Sequence, residues 1–448
     1  MTEEFEYGQV LASVQEKVRL LSAGRTAIRA SQMIADAESG EVLRDHTLVI
    51  EGGLVREVVP SDSFEIPQDV EVMDVPSGTL LPGLIETHCH VTGEWSEDPH
   101  ATHLEPFPEA RVIRGMVDAW AVLTAGFTSI YSMGHGHPNY VAALKSLIDD
   151  ERFPGPRIHH CGWAISQTAG HGHVREWNYE LASSLKVRST FADGEAALRA
   201  VVRENIGTGA EFIKVFAGEG GYTAPSHISR RLDFSGAELR AVTDEAHRLG
   251  YRVASHCMTL EHVRHALTNG VDRIEHGPTV YEPDFVPILQ ENQAAWCPTL
   301  SQLHWGLEER VKRGFDTATT RRIEAALDAR CRMIVEALEA GVVVGFGTDN
   351  RMRPKAGRNG IEFRLMVERG IQPGTALALA TSNAARLVGV DDQLGSIRPG
   401  MVADLIVVNG NPLQDIEAVS ERENIVQVLR SPVRVRPKPP IKRGASYG

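Results

Sequence analysis

Short apolar runs separated by longer amphipathic stretches set the rhythm of the middle of the chain. The runs are Leu84-Ile85, Thr128–Tyr131, Arg157–His160, Phe212–Phe216, Arg252–Ser255, Arg273–Glu275, Ala294–Cys297 and Val342–Phe346. Segments of helical spacing fall between them, among them 108–125, 139–149 and 236–249. Ser235-Gly-Ala-Glu238 reads as a capping box opening the last of these, and Gly250 closes it. Eight strands separated by helices predict an α/β fold, a (β/α)8 TIM barrel.

The two ends read differently. Val10, Leu11, Val14, Val18 and Leu21 recur with a loose helical period, so 1–23 is expected to be a helical N-terminal extension, packed on the body or on another subunit. From Arg25 come short strands, 27–30, 47–50, 54–58 and 70–73, with turn signals at Ser39-Gly40 and Gly52-Gly53. These predict a small antiparallel sheet. Residues 395–408 read as a turn and a β-hairpin arm whose natural partner is that sheet. The expected organisation is therefore a composite β-sandwich domain from 24–80 and 390–436, the barrel over 81–389, and a Pro- and Lys-rich flexible tail over 437–448.

Composition narrows the function. A chain of 448 residues, 42% hydrophobic, can bury a large core. A net charge of -13 argues against nucleic acid as a partner. No apolar stretch approaches the ~20 residues that span a bilayer, and the first residues lack a signal-peptide pattern. The expected setting is the cytoplasm, without a membrane, with a small-molecule substrate and self-association into a homo-oligomer. Five cysteines form no C-x-x-C pair, so reduced thiols are expected. Cys89, Cys257 and Cys297 lie near the presumed site, but Cys89 should point away from its histidine neighbours.

The candidate chemistry begins at Glu86-Thr-His-Cys-His90, which directly follows the first apolar run. Two histidines one residue apart on a strand share a face, so His88 and His90 are placed to hold one metal ion. Lys214 lies in a later run, and His256, His276 and Asp349 each follow one, where barrel enzymes build their sites. Burial of Lys214 among Phe212, Val215 and Phe216 favours its neutral amine, which can add carbon dioxide to give a carbamate able to bridge two cations. The bland alternative for Lys214 is a salt bridge to Glu219 or Glu275.

Taken together, Leu81–His90, Phe212-Ile-Lys-Val-Phe216, Ala254-Ser-His256, Ile274-Glu-His-Gly277, Gly347-Thr-Asp349, Thr381–Gly389 and the 395–408 arm resemble the amidohydrolase superfamily over roughly residues 25–410. The order Lys-Val-Phe, His, Ile-Glu-His-Gly is similar to the branch of imidazolonepropionase-like prolidases and dipeptidases. Hydrolases of N-acyl amino acids, phenylureas and thiocarbamates belong to the same branch.

The resemblance implies two divalent ions, zinc or otherwise cobalt, manganese or iron, with Lys214 N-carboxylated. It implies His88, His90 and Asp349 on one metal, His256 and His276 on the other, and Lys214 between them. Asp349 becomes the general base and then the acid, and His171 in Ala169-Gly-His-Gly-His173 a contact to the substrate carbonyl. Tyr222 is a further candidate for substrate binding. The reaction implied is hydrolysis of an amide, urea or carbamate C–N bond. Two alternatives stand beside it. One is a mononuclear deaminase or chlorohydrolase using His88, His90, His256 and Asp349, with His276 binding the water. The other is a metal-free structural relative. Close relatives often read His-Ala-His after strand five, whereas this chain reads His256-Cys-Met258. Trp95, Trp163, Trp177 and Trp305 would suit an apolar or aromatic substrate.

Overall fold

In the central strands nearly every residue is buried, without the alternation of a sheet that faces water on one side. Leu84–Cys89, Phe127–Ser132 and Val253–Cys257 are closed to solvent along their whole length, as parallel strands covered on both faces must be. The computed structural model describes residues 17–21, 24–65, 67–68, 70–93, 108–134, 136–172, 189–218, 231–312, 314, 317–352 and 355–440.

Two parallel sheets carry the middle of the chain. One has three strands, in the order Leu84–Cys89, Phe127–Ser132, Arg157–His160. The other has six, ordered Thr190–Phe191, Ala164–Ser166, Ile213–Phe216, Val253–Cys257, Arg273–His276, Ala295–Cys297. Neither closes on itself. The helices Pro108–Thr124, Pro138–Asp149 and Gly236–Arg248 stand where the spacing predicts them. The Ser235–Glu238 capping box is formed in full.

The eighth apolar run departs from expectation. Residues 342–346 form no continuous strand; Val344 makes one isolated bridge to Trp296, and Asn350 another to Cys89. The segment still joins the two sheets. Gly345 N donates to Trp296 O at 2.9 Å, and Thr87 N to Phe346 O at 2.9 Å. Asp349 N then donates to His88 O at 2.8 Å. A left-handed φ of 55° at Asp349 ends the extended conformation there. Phe346 anchors the segment by packing on Phe127 and Phe363, ring centroids 5.5 and 4.4 Å away.

Both chain ends meet in one eight-stranded sheet. It is mixed, not antiparallel as expected. Arg25–Met33 pairs antiparallel with Leu43–Glu51 but parallel with Glu71–Val75. Of the 395–408 arm only Leu405–Val408 is a strand, antiparallel to both Thr79–Pro82 and Ile425–Arg430. The helical reading of 1–23 fails at Val18–Leu20, a strand parallel to Ile425–Arg430. Edge hydrogen bonds, such as Leu21 N to Arg430 O at 2.9 Å, override a weak period; residues 1–16 and 22–23 lie outside the described residues. At the other end Lys438 N donates to Gly389 O at 2.7 Å, so 437–440 is tied down where a free tail is expected. Gly83 hands the chain from this sheet to the first parallel strand. A Cβ there would sit 2.5 Å from Thr128 Cγ2, so only glycine passes.

Candidate active site

His88 is the last residue but one of the first parallel strand and His90 lies just past its end, their rings 5.7 Å apart. The pairing register shifts between Glu86 and Cys89, and both imidazoles face Asp349. His90 Nε2 lies 3.0 Å from Asp349 Oδ1 and His88 Nε2 3.5 Å from the same oxygen. His90 Nδ1 donates to Gly134 O at 2.9 Å, which fixes its tautomer and leaves Nε2 for the site. Cys89 points the other way, its thiol donating to Tyr131 O. Burial pushes the Cys89 and Cys297 thiols well above the ordinary range and Cys257 up to about 12. All five cysteines are free, buried, inert thiols.

A buried outer layer holds these groups in place. Glu275 Oε2 accepts from His88 Nδ1 at 2.5 Å, and Arg273 ion-pairs with the other carboxylate oxygen. Burial works against the Glu275 anion, but Arg273, His88 and Lys214 overcome it and hold the carboxyl below the usual range. Glu86 accepts from His88 N at 2.9 Å, Thr348 N at 3.0 Å and Asn359 Nδ2 at 2.8 Å. It thereby ties the first strand to the Gly347-Thr-Asp349 turn. A Cβ on Gly347 would lie 2.8 Å from His88 Cβ, so that turn admits no side chain.

His276 and Asp349 both adopt left-handed backbone, φ 69° and 55°. Each such residue costs of order 1–3 kcal/mol and needs surrounding structure to keep it there. For His276 that structure is Thr299, whose hydroxyl lies 2.7 Å from Nδ1, and Arg330. The buried Arg330 guanidinium donates to the carbonyls of Pro298 at 3.0 Å, Gly277 at 3.2 Å and Thr299 at 3.3 Å.

The strand register places Phe216 beside His256, and Cys257 beside His276. The His256 ring packs edge-on to His276 at 4.7 Å and stacks on His171 at 4.2 Å. His171 N is held by Asp233 Oδ2 at 2.7 Å. His171 is thus brought to the histidine cluster, whereas Tyr222, Trp95 and Trp177 lie outside the described residues. Trp163 and Trp305 are buried in packing, 3% and 1% exposed, and offer no open ring to a substrate. Lys214 is also buried, 2% exposed, and its Nζ has no hydrogen-bond partner among the described residues. No ion pair to Glu275 forms, and Glu219 lies outside the described residues. Burial lowers the lysine pKa, with Glu275 opposing.

These residues fit a metal. One ligand atom each from His88, His276 and Asp349 lie within 4.8 Å of one another. A buried amine left without a partner fits a lysine that carries a further group. The amidohydrolase family model matches residues 79–434. The chain belongs to the amidohydrolase family. It is a hydrolase of carbon–nitrogen bonds, in a family generally dependent on divalent metal.

This amidohydrolase is similar to an ochratoxinase of Aspergillus niger, 28% identical over 445 residues, covering 94% of this chain and 87% of that protein. The A. niger ochratoxinase crystal structure superposes with TM-score 0.80 at 26% identity, over 93% of this chain and 96% of that one. A prolidase complexed with N-methylphosphonate-L-proline gives TM-score 0.80 at 28% identity, over 92% and 100% of the two chains. Phenylurea hydrolase B shares the fold, with TM-score 0.74 at 19% identity over 92% and 96%.

Reading the amidohydrolase from sequence alone missed Glu275 as the partner of His88, although the Glu-His pair in Ile274–Gly277 was in view. It also missed Glu86, Thr299 and Arg330. Glu86 had a signal, a carboxylate directly after the apolar pair Leu84-Ile85 in a strand buried along its length. Arg330 had none, being one charge among many on the helix Thr317–Glu339.

Proposed function

We propose that this amidohydrolase cleaves an amide, urea or carbamate C–N bond in a small molecule, with two divalent ions, zinc by preference, and N-carboxylated Lys214 between them. The observation that carries the proposal is the Lys214 amine, buried beside the histidine and aspartate cluster without a hydrogen-bond partner among the described residues. In this reading His88, His90 and Asp349 hold one ion and His256 and His276 the other. When bound, the metals lower the pKa of a water and polarise the scissile carbonyl.

The chain's own groups do the remaining work. Asp349 is kept ionised: burial opposes its charge, but hydrogen bonds from His88 and His90 outweigh burial. Its carboxylate accepts the proton of the attacking water and passes it to the leaving nitrogen. His171, stacked on His256, orients the substrate carbonyl, and Tyr222 contacts the substrate. Glu275 holds His88 so that Nε2 faces inward. The mononuclear alternative has no use for Lys214, and a buried amine kept at that cost speaks against it.

The proposal includes a (β/α)8 barrel over 81–389 closed through 343–350, and a small β-sandwich from 24–80 and 390–436. It also includes cytoplasmic residence and assembly of identical subunits.

The test is hydrolysis of N-acyl amino acids, dipeptides, phenylureas and carbamates by metal-loaded protein, before and after chelation and with Asp349→Asn. We expect turnover of at least one class, lost on chelation and lowered on the order of 10²-fold in kcat by Asp349→Asn. Deamination or dechlorination of heterocycles, without hydrolysis of any class, would instead support the mononuclear chemistry.

A further inference from the structure

Thr299, whose hydroxyl lies against His276 Nδ1, is itself in a rare conformation. Its φ of 52° is left-handed, a genuine outlier for a β-branched side chain. Such backbone persists only where the surroundings over-determine it. Here they grip one peptide from both sides. The Thr299 carbonyl accepts from Arg330 Nη1 at 3.3 Å, and Leu300 N, in the same peptide, donates to Glu362 Oε1 at 2.7 Å. A planar peptide held at both its oxygen and its nitrogen cannot rotate, so the ψ of Thr299 is fixed.

Glu362 meets more than that one amide. Its second oxygen accepts from Ser301 N at 2.6 Å and from the Ser301 hydroxyl. The carboxylate thus covers the first two N–H groups of the helix Leu300–Lys312, where unpaired donors and the helix dipole favour an anion. Glu362 is closed to solvent. Burial pushes its carboxyl up to about 7, and the Ser301 hydroxyl and the two amides oppose that rise.

The segment that carries Glu362 is pinned as well. A Cβ on Gly360 would run into Ser420 O, and Asn359 Nδ2 donates to Glu86 Oε2 at 2.8 Å. Glu86 in turn holds His88 N and Thr348 N. Residues 359–362 therefore brace both halves of the site. Asn359 acts through Glu86 toward His88 and Asp349, and Glu362 through Thr299 toward His276.

We propose that Glu362 is a positioning residue for His276. Its carboxylate holds the Thr299–Leu300 peptide so that the Thr299 hydroxyl stays against His276 Nδ1, which leaves Nε2 as the ring's ligand atom. Glu362 acts through Thr299, without itself being a ligand. The inference rests on the reading of His276 as a metal ligand.

The test is zinc affinity of the full chain, read by competition with a chelator at pH 8, where the Glu362 carboxyl is ionised. It uses wild type, Glu362→Gln, Thr299→Val, the double variant and His276→Ala. Glu362→Gln keeps the shape but turns an amide N–H₂ toward the donors of the helix start. We expect Glu362→Gln and Thr299→Val each to weaken zinc binding on the order of tenfold. The double variant should bind no more weakly than the weaker single one, since both changes cut the same chain of contacts. Should Glu362→Gln lose its native circular dichroism, Ser301→Ala takes its place, with weakened zinc binding and the same lack of additivity expected. The proposal is overturned if the carboxylate-side variant binds zinc as wild type does, or if the double variant shows the product of the single losses, about 100-fold. His276→Ala tells the two failures apart. Wild-type zinc affinity there overturns the reading of His276 as a ligand, and the proposal with it. Weakened binding there beside an unchanged Glu362→Gln overturns the proposal alone.

Discussion

Glu275 Oε2 lies 2.5 Å from His88 Nδ1, and both side chains are closed to solvent. The contact fixes which imidazole nitrogen is left for the site. Glu275→Gln keeps the shape but removes the charge that holds the Nδ1 proton. Loss of such a supporting carboxylate typically costs 10–100-fold in metal affinity or activity. We expect metal affinity to fall in that range, read by competition with a chelator, while circular dichroism stays native. Wild-type affinity in the variant would mean that the contact does not orient His88.

Arg330 makes a second prediction, on stability. Its guanidinium satisfies carbonyls on two turns, Gly277–Pro278 and Pro298–Thr299, and Thr299 in turn positions His276. Arg330→Met fills the volume and leaves those carbonyls buried without donors. At about 1–3 kcal/mol for each group left unsatisfied, we expect a loss of ~3 kcal/mol or more in denaturant unfolding. Arg330→Lys should recover only part of it, because a point charge cannot span three carbonyls. Full stability in Arg330→Met would contradict this role.

How much of this could be read in advance follows from the range of the interactions. His88, His90, His256, His276 and Asp349 each follow an apolar strand run and Lys214 lies within one, a pattern local enough to survive in sequence, and the structure gathers them at one end of the sheets. Arg330 reaches its carbonyls from 31 to 53 residues away in the chain, where no periodicity points. The Val342–Phe346 run looks like its seven predecessors, yet among the described residues its ladder contact is the isolated bridge from Val344 to Trp296, a partner outside its own sequence neighbourhood. Val18–Leu20 departs from its local helical period for a similar reason, as its conformation is set by Ile425–Arg430, some 400 residues away.

The pH dependence of stability supplies a third prediction. Burial lowers the pKa of His160 to about 4, and its Nδ1 accepts from Gly162 N at 3.2 Å. The unfolded chain holds the ordinary value near 6.5, so between pH 6.5 and 4 it binds a proton that the folded state refuses. The stabilising contribution is therefore complete above pH 6.5 and lost as pH falls toward 4, on the order of 3 kcal/mol for this group. His160→Asn should flatten the acid limb of the stability–pH curve by about that amount. An unchanged limb in the variant would show that His160 does not titrate in this window.

The most direct test of the central claim is metal content measured together with activity, in wild type and in Lys214→Ala. A carboxylated Lys214 between two ions predicts about two divalent ions per chain in wild type. In Lys214→Ala it predicts fewer bound ions and a loss of hydrolysis, partly restored by added short carboxylic acids that take the carbamate's place. One tightly bound ion in wild type, with hydrolysis untouched by Lys214→Ala, would contradict it.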